Sequence, residues 1–69
     1  MKTKTGRCSV HVIGSVMGPI GWIERVTLDV GDGFQSTGEA RRWGRAATRR
    51  WNVPGETWVS HYRIGPEWR

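Results

Sequence analysis

The sequence predicts an α+β fold, β-β-α-β, in which a three-stranded sheet of order 2-1-3 carries one helix on one face. Three observations point there. Two stretches before residue 31 alternate with a period of two, a capped amphipathic run lies between residues 36 and 51, and a third alternating stretch follows Pro54-Gly55.

The first alternating stretch runs from Arg7 to Ser15, with Cys8, Val10 and Val12 against Ser9, His11 and Ile13. Gly14, Gly18, Pro19 and Gly21 then punctuate a loop that carries Val16, Met17 and Ile20. A second strand follows from Trp22 to Val30. Val26, Leu28 and Val30 share one side of it, Ile23, Arg25, Thr27 and Asp29 the other, and Gly31-Asp32-Gly33 ends it. The third strand, Thr57 to Ile64, groups Trp58, Ser60, Tyr62 and Ile64 against Thr57, Val59, His61 and Arg63.

The helix carries the clearest signal. Ser36-Thr37-Gly38-Glu39 fits a capping box, in which the Ser36 hydroxyl accepts from the Glu39 amide and Glu39 reaches back to the Ser36 amide. Ala40, Trp43, Gly44, Ala47 and Trp51 then fall on one stripe about 100° wide. A glycine costs about 1 kcal/mol in a helix interior, so Gly44 on that stripe predicts a close approach of helix and sheet. Asn52 is expected as a left-handed cap, and Pro54-Gly55 prevents continuation. The helix crosses back over one face, which places the third strand beside the first and leaves the other sheet face open.

Length and composition bound the rest. At 69 residues and 7.8 kDa the chain forms a single small domain over residues 6–69, with residues 1–5 as a disordered lead-in. One cysteine, Cys8, excludes an internal disulfide, and no stretch reads as a signal peptide or transmembrane helix. The expectation is a cytoplasmic protein without a membrane partner. Cys8, His11 and His61 lack metal-ligand spacing, so no metal or other cofactor is expected. No serine or cysteine stands in a nucleophile turn.

Eleven Lys and Arg against six Asp and Glu leave a net charge of +5, which favours acidic partners: nucleic acid, with DNA first, or an acidic host protein. Arg41, Arg42, Arg45 and Arg49 lie opposite the tryptophan stripe, and no acidic residue follows Glu39 in the helix to neutralise them. Arg7, Arg25 and Arg63 form a second candidate set on the sheet. The open face would display Ser9, His11, Ile13, Ile23, Arg25, Thr27, Val59, His61 and Arg63. Its polar members suit nucleic-acid contact, while Ile13, Ile23 and Val59 form a candidate protein interface or homodimer face. Trp43, Trp51 and Trp58 are expected in the core; Trp22 and Trp68, at the ends of elements, are the candidates for base stacking. A small basic ribonuclease built from His11, His61, Glu24, Arg25 and Arg63 is a third alternative. The leading expectation is a non-enzymatic DNA-binding protein.

Phe34-Gln35-Ser36-Thr37-Gly38-Glu39-Ala40-Arg41-Arg42-Trp43 resembles the strand-to-helix entry of the arm-type DNA-binding domains at the N-termini of tyrosine integrases: an aromatic, a Ser/Thr cap, Glu-Ala and a Trp. The resemblance implies DNA binding by a three-stranded sheet backed by one helix. It covers ten residues, and this chain departs from the pattern in placing two strands before the helix and one after it. In composition the chain is also similar to small Arg- and Trp-rich proteins of actinobacterial phages and mobile elements.

Overall fold

Alternating β-branched residues on either side of a Pro-containing turn favour a hairpin, and the hairpin is the longest feature of the molecule. The structure is a computed structural model that describes residues 8–66. The lead-in, Arg7 and Trp68 lie outside the described residues. The elements are β1 (Cys8–Gly18), β2 (Gly21–Phe34), α1 (Thr37–Trp51) and β3 (Thr57–Pro66). The sheet order is β2-β1-β3, with β1 antiparallel to both neighbours. The expected α+β fold, its strand order and its single helix are all present.

The expected loop from Gly14 onward is instead strand. Val16 and Met17 continue the alternation and pair with Ile23 and Trp22, so only Pro19-Ile20 is left to turn the chain. Gly21 takes φ +136°, a conformation open to glycine alone without strain. β2 likewise runs past Gly31-Asp32-Gly33 to Phe34.

Pairing the 11 residues of β1 with the 14 of β2 leaves three residues over, and each becomes a β-bulge. The register shifts fall between Ile23 and Val26, between Thr27 and Asp29, and between Gly31 and Phe34. A fourth shift, on β3, lies between Val59 and His61. Each bulge puts two consecutive residues on one side of the sheet and reverses the alternation beyond it. The strict period of two read from the sequence therefore assigns several residues to the wrong face.

The side facing the helix carries Val10, Val12 and Gly14 of β1. Their partners Gly31, Asp29 and Val26 on β2, and Ile64, Tyr62 and Val59 on β3, share that side. Asp29 thus turns towards the helix, and Val30 is 49% exposed on the opposite face. Val59 is buried in the core, while Trp58, expected there, is 63% exposed. The reversal at Ser60 causes both changes.

The buried core is small: Val10, Val12, Ala40, Ala47 and Val59, with Leu28, Phe34, Trp43, Trp51, Tyr62 and Ile64 packed around it. Gly44 makes the predicted close approach, since a Cβ there would stand 2.7 Å from the Tyr62 ring. Gly31 serves the Trp43 ring in the same way, and Trp43 meets Phe34 with ring centroids 5.6 Å apart.

Side chains close both ends of α1. The Ser36 hydroxyl accepts from the Glu39 amide at 3.1 Å, as expected, but the Glu39 carboxylate accepts from the Gln35 amide at 2.9 Å rather than from Ser36. Asn52 is not left-handed, with φ −82° and ψ 86°. It caps by another route: its amide donates to the Thr48 carbonyl, and its side-chain oxygen accepts from the Val59 amide at 2.7 Å. The Trp51 indole N–H donates to Asp29 at 2.9 Å, with Arg50 also 3.7 Å from that carboxylate. The end of the helix is therefore tied to both outer strands.

Thermal denaturation checks three consequences. Gly14→Ala would drive a Cβ into the Trp58 carbonyl oxygen and the Leu28 side chain, a backbone clash that should cost about 1–3 kcal/mol. Gly38→Ala meets only the Ser36 hydroxyl at 3.9 Å and should stabilise by about 0.5–1 kcal/mol. Asp29→Ala should cost about 1–2 kcal/mol through the lost indole bond, whereas Asp29→Asn, which can still accept it, should cost less.

Candidate nucleic-acid interfaces

A helix whose inward stripe is built from alanine, glycine and tryptophan must turn its long cationic side chains outward. Arg41, Arg42, Arg45 and Arg49 are all exposed. Arg41, Arg45 and Arg49 follow one another at four-residue steps, about 6 Å each at an α-helical rise. Among the described residues none of these four has a carboxylate partner; the one ion pair given by the structure joins Arg50 to Asp29. The only acid within the helix, Glu39, is engaged in its N-terminal cap. Arg49 and Arg50 also stand in the last turn, where the helix dipole favours cations.

The open side of the sheet is organised by two bulges. On β2, Ile23 and Val26 both face the helix side, so Glu24 and Arg25 between them both turn to the open side. Arg25 takes φ 61° to do so, a left-handed conformation that is uncommon for a non-glycine residue. On β3, Val59 and Tyr62 face the helix side, and Ser60 and His61 both turn outward. The two bulges flank the same stretch of β1. They gather Ile13, Ser15, Glu24, Arg25, Ser60, His61 and Arg63 around one groove of about 540 Å³.

This arrangement joins some of the residues expected to act together and separates others. Arg25 and Arg63 share the groove, and Arg7 lies outside the described residues. Glu24 and His61 line it as well, whereas His11 is paired with Arg63 and Val30 one step along the sheet and is not part of its wall. Of the expected apolar patch, only Ile13 is on the open face. Val59 is in the core. Ile23 is 51% exposed but pairs with Val16 on the helix side, where its side chain lies against Gly18.

Two aromatic residues take the vacated place. Trp22 and Trp58 stand on the open side and, with Ser15 and Glu24, line a second hollow of about 340 Å³ that adjoins the groove. Trp22 was expected to be available; Trp58 was not. Gly14 held the missing signal, because a glycine inside an alternating run marks a bulge or a close backbone approach as readily as a loop.

Among the described residues there is no group of three or more His, Cys, Asp or Glu that could hold a metal ion. None of their helices is long and apolar enough to cross a membrane. No family model, curated protein or solved structure matches this chain.

Proposed function

We propose that this protein is a small DNA-binding protein that grips the phosphate backbone of a duplex with one face of its helix. The observation that carries this reading is the row Arg41, Arg42, Arg45 and Arg49, exposed and without carboxylate partners among the described residues. Guanidinium groups in such a row gain more from phosphate oxygens than from water, because each contact releases a condensed counterion. Arginine also presents several donors in a fixed fork that fits a phosphate. Recognition of this kind fixes position and orientation on the nucleic acid and carries little sequence information.

The geometry favours a B-form partner. A major groove about 12 Å wide admits an α-helix, whereas the deep, narrow major groove of A-form RNA does not. The helix row and the open sheet face lie on opposite sides of a molecule whose Cα atoms span 48 × 21 × 12 Å, so one duplex meets one face at a time.

Titration of short duplexes at several salt concentrations tests the reading. Four phosphate contacts should make log K fall with log salt at a slope of about −3.6. In the triple variant Arg41→Ala, Arg45→Ala, Arg49→Ala that slope should shrink to about −0.9, since three of the four contacts are gone. The replaced side chains are exposed, so the melting temperature should change little. Duplex affinity and salt slope unchanged in that variant would remove the helix row from the interface.

A further inference from the structure

Trp58 is 63% exposed and Trp22 is 45% exposed. Large apolar rings normally contribute to folding by burial, and this core is short of buried area, so leaving two indoles in water calls for a physical reason. Their positions supply one. Trp58 stands on β3 directly opposite Ser15, and Trp22 stands on β2 opposite Met17, one alternation further along the same face. The two outer strands are about 10 Å apart across β1, and Ser15 is the β1 residue that lines the hollow between the rings. Ser15, Trp22, Glu24 and Trp58 line the open hollow that results. Among the described residues the one ring–ring contact joins Phe34 and Trp43, so both exposed indoles keep their faces free of other rings.

The hollow is continuous with cationic surface. Ser15 and Glu24 also line the adjoining groove, whose other walls include Arg25, His61 and Arg63. A ligand for the combined site must therefore have a flat ring, hydrogen-bond donors for a carboxylate, and an anion within reach of two guanidinium groups. A peptide can bring an aromatic ring and a carboxylate, but none of its aromatic side chains carries two adjacent ring-edge donors for Glu24. A duplex keeps its bases stacked inside and cannot offer one.

We propose that the open sheet face binds a single unpaired guanine nucleotide. The base lies between Trp22 and Trp58, its donor edge meets the Glu24 carboxylate, and its phosphate meets Arg25 and Arg63. Guanine is the base chosen by Glu24: its N1–H and amino group are adjacent donors that a carboxylate accepts together, whereas adenine and cytosine each offer one amino group. Stacking supplies affinity for any base, and the carboxylate supplies the preference. The site is on the opposite side of the sheet from the helix row and stands whether or not that row binds a duplex.

Heteronuclear NMR titration of the ¹⁵N-labelled protein separates the possibilities. With GMP, the indole N–H signals of Trp22 and Trp58 should move and saturate while those of Trp43 and Trp51 stay, and ribose 5-phosphate should leave all four in place. Trp58→Ala should weaken GMP about tenfold or more, in keeping with the usual loss per stacked base. Glu24→Gln should bring GMP to the level of AMP, and Arg63→Ala should weaken GMP more than guanosine. The Arg41/Arg45/Arg49 triple variant should bind GMP as the parent does, which keeps this test apart from that of the helix row. A guanine-containing single-stranded hexamer that moves the same two signals when GMP does not would identify a nucleic-acid strand as the source of the nucleotide. Equal affinity for AMP and GMP in the parent would overturn the role of Glu24. Binding of GMP and hexamer undiminished in a folded Trp58→Ala variant, or no movement of either indole with any of these ligands, would overturn the site.

Discussion

Much of this structure depends on the absence of a side chain at one position of the central strand. The Trp58 carbonyl oxygen occupies the place where a Cβ of residue 14 would be, and the Leu28 side chain approaches the same point. Only glycine lets β3 run that close to β1, and the close passage goes with the extra residue at Ser60. From that bulge follow the inward turn of Val59, the outward turn of Trp58, and the pairing of Ser60 with His61 on the open face. One missing methyl group thus separates a core with another tryptophan from a surface with an aromatic site.

The core that remains is sparse, and the molecule compensates with ties rather than bulk. Two fully buried valines and two alanines cannot by themselves hold a helix on a sheet. Gly44 brings the helix axis close enough for the Tyr62 ring to pack on backbone, and Gly31 admits the Trp43 ring to the strand surface. Polar groups then fix the helix end: Asp29 receives the Trp51 indole, Asn52 receives the Val59 amide, and the Thr57 hydroxyl donates to the Trp51 carbonyl. These bonds join α1 to β2 and to β3, so helix docking and strand register reinforce each other.

The architecture was legible in the sequence because it depends on local signals. The Ser36 cap, the alanine, glycine and tryptophan stripe, and the stop after Trp51 place the helix, and a crossover after a hairpin leaves few strand orders. The facing of individual side chains was not legible, because it depends on register. A bulge is a non-local event: the three extra residues of β2 become visible only when it is laid against the shorter β1. Alternation counted along one strand therefore misplaced Asp29, Val30, Trp58 and Val59 together. The helix arginines were legible because helical phase has no equivalent of a bulge here.

The unneutralised arginine row follows from where the carboxylates of the described residues have gone. Asp29 was turned inward by a bulge and serves Trp51 and Arg50. Glu39 is held at the start of the helix by its own cap. Glu24 was turned by another bulge to the far side of the sheet, where it faces two arginines of its own. Asp32 belongs to the bulge beyond Gly31, and Glu56 belongs to the turn into β3, where its carbonyl receives the Met17 amide. The same register shifts that shaped the open face thus decided the charge of the opposite one. Among the described residues the helix holds five of the seven arginines and one acid, Glu39, while three of the other four acids, Glu24, Asp29 and Asp32, lie on β2.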